Sequence, residues 1–231
     1  MKFNLLFEDQ EILVVEKPIG IESQSARSFE PDMVSEIKKH INNISPVKGE
    51  PYVGVIHRLD KPVGGVMVYA KTKKSAEALS KQVSTRKTEK SYYAVVCGKP
   101  VENFGTYVDY LWRDGKNNCS KIVDKGINGA KQAELAFQVM GEVKQGEEIY
   151  SLLKIKLITG RHHQIRVQMA AHGTPIWGDR KYNKKVQNVT FNGNLALHAS
   201  SFAFMHPRTG KKMNFYSKPS GGMFDLFSWE N

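Results

Sequence analysis

The sequence predicts an α+β fold with a mixed, largely antiparallel central sheet and flanking helices. Short apolar or β-branched runs that end at charge, proline or glycine recur along the chain and read as strands. Three stretches carry helical spacing instead. The strands outnumber the helices and do not alternate regularly with them, which argues against a parallel sheet built from βαβ units.

Leu13-Val14-Val15 reads as an early strand and Val66-Met67-Val68-Tyr69 as another. Between them, Met33, Ile37, Ile41 and Ile44 recur at helical spacing after Asp32, a fitting N-cap. A second helix is expected from about Lys74 to Thr85, with Ala76, Leu79 and Val83 on one side. Ser91–Val96, Tyr107–Trp112, Glu134–Met140 and Tyr150–Leu157 have strand character. His162–Ala171 reads as a third helix, stopped by Gly173 and Pro175. Leu195–Phe204 and Lys212–Tyr216 return to strand. Repeats and low-complexity tracts are missing, so residues 1–231 are expected to form a single domain. Ser23–Pro31, Gly115–Gly129 and Lys184–Gly193 are the expected flexible pieces.

Composition narrows the function classes. Hydrophobic residues make up 40% and charged residues 25% of the 231, which fits a globular protein and excludes a disordered or fibrous one. No run approaches the ~18 apolar residues of a membrane span, and the first residues reach Glu8 too soon for a signal peptide. The expected location is therefore the cytoplasm. Cys97 and Cys119 are the two cysteines and suggest neither a disulfide framework nor a metal pair. Thirty-four Lys and Arg against 23 Asp and Glu give a net charge of +11. The excess is grouped, at Lys71, Lys73 and Lys74, at Lys81, Arg86, Lys87 and Lys90, at Lys181, Lys184 and Lys185, and at Lys211 and Lys212. Such groups attract polyanions by releasing condensed counterions, although charge alone is equally consistent with a solubilising surface.

Two segments carry chemistry. His57-Arg58-Leu59-Asp60-Lys61-Pro62 sets one carboxylate between two cations where a strand gives way to a turn. Nearby cations favour the ionised form, though most such Arg–Asp neighbours in proteins are ordinary surface pairs. Thr159-Gly160-Arg161-His162-His163-Gln164-Ile165-Arg166 places imidazoles three and four residues before Arg166, on one helix face. His162, His163 and His172 invite a metal reading, but their spacing matches no metal motif.

Taken in order, these segments resemble the RluA-type family of RNA pseudouridine synthases. Leu5-Leu6-Phe7-Glu8-Asp9 and Ile12–Gly20, ending in Lys17-Pro18-Ile19-Gly20, resemble the family's opening strand pair and its Lys-Pro-x-Gly turn. His57-Arg58-Leu59-Asp60 matches the motif of the catalytic Asp, and Lys90-Ser91-Tyr92 a Lys-x-Tyr element. Gly160-Arg161, His163-Gln164-Ile165-Arg166, Gly173, Pro175 and Gly178-Asp179-Arg180-Lys181-Tyr182 match the third signature. Leu195–Ala199 and His206–Gly210 match the closing strands. His162 stands where a small hydroxyl residue is more usual, Gln168 where His is frequent, and Gly64 where Ser is common. The S4-like N-terminal domain of many relatives is expected to be missing.

The resemblance implies a pseudouridine synthase fold with a central RNA-binding cleft and isomerisation of uridine in ribosomal or transfer RNA. It implies Asp60 as nucleophile, Tyr92 against the target base, and Arg166 orienting the carboxylate. Arg58, His57, Arg161, His163 and Ile165 are expected around the substrate, with His57 in a structural part. The reaction needs no cofactor and no metal, the partner is RNA, and a monomer is the simplest state. Two readings from other classes compete. One is an RNA-binding module without activity, which turnover would exclude. The other is an RNA-cleaving enzyme built on His162, His163 and His198, which strand breaks would reveal.

Overall fold

The computed structural model describes residues 3–25, 30–44, 49–186 and 193–229. The chain divides into two compact units, the first made of residues 1–90 and 199–218 and the second of 91–198 and 219–231.

In the first unit, β1 (Asn4–Glu8) pairs antiparallel with β2 (Ile12–Lys17), and β2 with β4 (Gly64–Ala70). The short β3 (Gly54–Val55) joins β4. β10 (Leu197–Met205), which belongs to this unit from Ala199 onward, neighbours β4 and pairs antiparallel with β11 (Lys212–Tyr216). Ile12, Leu13, Val14, Val15 and all of β4 are buried, so both strands are covered on both faces. That is why they read as continuous apolar runs rather than alternating ones. Ile12, Val14, Val66 and Val68 form one cluster with Phe202, Phe204 and Leu79 of α2 (Lys73–Ser84). β4 and β10 approach too closely for a side chain at Gly65. A Cβ there would lie 2.2 Å from the Ala199 carbonyl oxygen, and the φ of +118° already disfavours any other residue.

The helix ends follow local chemistry. Asp32 caps α1 (Met33–Ile44), its carboxylate accepting from the Ser35 N–H at 2.7 Å while the Ser35 hydroxyl accepts from the Asp32 N–H. This is a reciprocal capping box with serine in place of glutamate. Thr72 caps α2 in the same sense through the Ser75 N–H. At its other end the chain passes through Arg86 at φ 57°, the left-handed position that usually closes a helix with glycine.

In the second unit, β5 (Glu89–Cys97), β9 (Glu148–Leu157), β8 (Lys131–Gln145), β6 (Phe104–Asp114) and β7 (Cys119–Ile122) lie in that order, each antiparallel to its neighbour. β5 enters this unit at Ser91. α3 (Gln164–Ala171) sits on one face, where Val167 packs against Leu111 and Ala133.

The fold is α+β with antiparallel pairing, as expected, but two local expectations need correction. Residues 115–129 contain β7, which pairs Cys119 with Asp114 across a turn closed by the Asp114 carboxylate on the Lys116 and Asn117 N–H groups. Four residues are too few to show alternation, and the turn chemistry masked the strand. The third helix starts at Gln164 rather than His162, because His163 takes a left-handed φ of 54°. His162 and His163 thus precede the helix and do not share its face with Arg166. Of the other two pieces expected to be flexible, residues 26–29 and 187–192 lie outside the described residues.

Candidate active site

In the first unit the key segment runs from β3 through His57, Arg58, Leu59 and Asp60 to the start of β4. Leu59 is its anchor: the side chain is buried, and the Ser23 hydroxyl both donates to the Leu59 carbonyl at 2.7 Å and accepts from its N–H at 3.0 Å. Arg58 on one side is exposed and Asp60 on the other is half-buried. The Val63 N–H donates to the Asp60 carbonyl and closes the following turn. His57 rests against Phe202, with ring centroids 4.5 Å apart, and its Nε2 faces the Val68 N–H at 3.4 Å. A nitrogen in that acceptor position is one that carries no proton. Burial, and after it the Lys90 ammonium, holds His57 well below the usual imidazole range. The ring of His57 thus packs on Phe202 with Nε2 turned to the backbone of β4.

The sequence suggested Arg58 and Lys61 as the cations around Asp60. Lys61 instead donates to Glu30 at 2.9 Å. A cation that the fold buries near Asp60 is Lys17, 1% exposed, with Nζ donating to the carbonyls of Pro18 at 2.9 Å, Ile21 at 2.8 Å and Lys61 at 3.3 Å. The Gly20 N–H also donates to the Lys61 carbonyl at 2.8 Å, so the 17–20 turn and the 58–61 loop are tied through backbone groups. Burial lowers Lys17 to about 8, against the opposing pull of Glu22 and Asp60. A lysine lowered in the folded state makes the unfolded state the better proton binder between pH 8 and its ordinary value. Stability from this group therefore rises with pH across that window. We expect the wild-type denaturation midpoint to gain on that of Lys17→Met between pH 7 and pH 10, by up to roughly 3 kcal/mol in stability. Parallel pH profiles of the two proteins would refute this.

The second unit holds the remaining candidates. Tyr92 lies on β5 and is 7% exposed. Its neighbours across the sheet are Ile155 on β9 and, beyond it, Phe137 on β8. Arg166, on the first turn of α3, is buried and makes a bidentate pair with Asp179: Nε to Oδ2 at 2.8 Å and Nη2 to Oδ1 at 2.8 Å. Asp179 is fully buried and also accepts from the N–H groups of Lys181 and Tyr182. The turn that wraps it needs Gly178, where φ is +77° and a Cβ would lie 2.5 Å from the Asn194 carbonyl oxygen. The Arg166 guanidinium sits over the Tyr182 ring at 5.2 Å.

The turn before α3 is equally well determined. The Gln164 side chain accepts from the Thr159 hydroxyl and the Arg161 N–H, and donates to the Glu134 carbonyl. Arg161 reaches the Gln132 carbonyl through Nε at 2.9 Å, and Ile165 is buried. His163 meets the Tyr182 hydroxyl at 2.7 Å, and burial first of all raises that phenol to about 12. The His162 ring stacks on His163 at 3.7 Å and contacts Ser120 and Asn118. These imidazoles hold one another and the β7 hairpin in place.

The structure thus gathers His57, Arg58 and Asp60 on one loop, and Arg161, His163, Ile165 and Arg166 around the start of α3. It adds Ser23, Lys17, Asp179 and Tyr182, which the sequence left without a function. Asp179 and Tyr182 lie inside a quoted motif, but nothing in their spacing marked them as partners of Arg166 and His163.

A family model described as RNA pseudouridylate synthase matches residues 11–171. The chain belongs to this family. An RNA pseudouridine synthase of Bacillus subtilis named YlyB, described as uncharacterized, is 34% identical over 227 residues, covering 98% of this chain and 72% of that one. A dual-specificity RNA pseudouridine synthase RluA from Vibrio parahaemolyticus is 34% identical over 235 residues, covering 98% and 90%. Among solved structures, human RNA pseudouridylate synthase domain containing 4 superposes with a TM-score of 0.75 at 23% identity, over 93% of this chain and 88% of that one. The family membership makes this protein an RNA pseudouridine synthase, an isomerase of uridine in RNA. Among its described residues, no helix is long and apolar enough to cross a membrane.

Proposed function

We propose that this synthase isomerises specific uridines in ribosomal RNA, transfer RNA or both, with Asp60 as nucleophile on a base turned out of its stack. The observation that carries the reading is the loop of Asp60. Its backbone is fixed by Ser23, Lys17 and Gly20, while Asp60 itself, next to the buried Leu59, is half-buried. A carboxylate carried on a preorganised loop suits covalent catalysis. The dual specificity ascribed to the Vibrio relative supports a reading with more than one RNA substrate.

In the reaction the N1–C1′ bond breaks, the base turns, C5 bonds to C1′, and the C5 proton is replaced by one on N1. Ionised Asp60 either attacks C1′ or removes a sugar proton to give a glycal. Arg166, oriented by Asp179, is assigned to hold that carboxylate, a charge-assisted contact. Tyr92 is assigned to stack on uracil with its phenol near C5, and Arg58 to fill the space the base leaves.

Tritium release from C5-labelled RNA under single-turnover conditions tests the assignment. Wild type should release tritium. Tyr92→Phe should bind RNA normally and stall after glycosidic cleavage. Tyr92→Ala should in addition weaken binding by roughly 1–3 kcal/mol. Release from Tyr92→Phe at the wild-type rate would leave the phenol without a part in the proton step.

A further inference from the structure

The sheet of the second unit has two faces. Tyr92, Ile155, Phe137 and Gly105 pair directly across β5, β9, β8 and β6, and so share the face on which α3 packs. The reverse face carries a parallel row, Tyr93, Lys154, Gln138 and Phe104, spanning about 14 Å at ~4.8 Å per strand. Lys156 stands beside Lys154 on that face, and Val108 lies one pleat repeat beyond the next row. Phe104 is 75% exposed and Val108 53%, an unusual display of apolar surface. At the other end Tyr93 meets Trp229 edge-on, with centroids 4.8 Å apart. Lys154 and Lys156 are exposed and engage in no ion pair among the described residues.

We propose that this reverse face is a second RNA-binding surface, on which unpaired nucleotides stack on Phe104 and Tyr93 while Lys154 and Lys156 hold their phosphates. Aromatic rings and lysines interleaved on an open antiparallel sheet suit single-stranded RNA, because any base offers a flat face to a ring. A duplex keeps its bases stacked on each other and presents none. A second copy of the chain is disfavoured by charge, since like faces would set Lys154 and Lys156 against their equivalents. The proposal rests on the RNA reading given above and adds to it. Because this face is the reverse of the one that carries Tyr92, a short hairpin engaged at Tyr92 leaves it uncovered, and an RNA with an unpaired extension reaches it.

The test uses the whole chain and a labelled oligouridine containing 4-thiouridine, with an activity arm on total RNA. Photo-cross-links should map to peptides of β6 and β5. Both Phe104→Ser and Lys154→Gln/Lys156→Gln should weaken oligouridine binding about tenfold or more at low salt, and the lysine pair alone should flatten its salt dependence. All these positions are at the surface, and near-wild-type thermal midpoints establish that the variants are folded. Their pseudouridine formation at saturating enzyme should equal wild type. Unchanged affinity with cross-links confined to other segments would overturn the proposal and leave the synthase reading intact. Failure of the wild type to form pseudouridine in any RNA would instead count against that reading. Sedimentation that shows a dimer dissolved by Phe104→Ser, without loss of RNA affinity, would assign the face to self-association and equally overturn the proposal.

Discussion

Asp60→Asn should leave no measurable pseudouridine while RNA affinity and thermal midpoint stay close to wild type. The amide keeps the size of the carboxylate and removes its charge, so it neither attacks C1′ nor takes a sugar proton. Loss of a nucleophile costs several orders of magnitude in turnover, and at least roughly 10³-fold is expected here. The substitution should leave the loop in place, because the backbone of Leu59, Asp60 and Lys61 is held by Ser23, Lys17 and Gly20 and these contacts are untouched. Single-turnover assays followed by digestion and nucleoside analysis measure the outcome. Residual turnover within tenfold of wild type would remove Asp60 from the role of nucleophile.

The second large effect concerns Arg166. Replacing it with Met keeps most of the stem but leaves the Asp179 carboxylate, fully buried, with the Lys181 and Tyr182 N–H groups and no bidentate cation. Breaking a buried ion pair from one side typically costs about 3–5 kcal/mol. In a domain of this size that corresponds to a fall of roughly 10 °C in the thermal midpoint. Pairing Arg166→Met with Asp179→Leu should recover much of that loss, since the stranded charge is gone, yet activity should not return. The double-mutant cycle separates the two contributions: recovery of stability without recovery of turnover assigns Arg166 a part in the reaction beyond its pairing. Recovery of both would make it a structural residue.

How far the sequence reaches is clear from particular residues. Ile12–Val15 and Val66–Tyr69 were legible as strands because full burial on both faces makes them uniformly apolar. Asp32 was legible because capping is local chemistry, and α2 because Ala76, Leu79 and Val83 recur at helical spacing. The β7 strand was not, since four residues inside a polar hairpin carry no period. The start of α3 was misplaced because a left-handed histidine has no signature of its own. Individual positions of the candidate site, Asp60, Tyr92 and Arg166, came from ordered motifs and the family resemblance, and physical spacing alone pointed as readily to surface ion pairs. Lys17, Ser23 and Asp179 escaped for a shared reason. Their significance lies in what they touch across long stretches of chain: the Ser23 hydroxyl meets Leu59, 36 residues on, and Arg166 meets Asp179, 13 residues on.

The clamp on Leu59 also bears on how such an enzyme changes over generations. Ser23 grips a peptide unit, and the buried leucine fills the core, so neither contact depends on the side chains before and after it in the loop. Substitution of the exposed Arg58 therefore costs the fold little, and under its proposed part in filling the space of the turned-out base it is tested by selection on how RNA is engaged. A lineage starting from this scaffold has a route to new target nucleotides that does not pass through unstable intermediates.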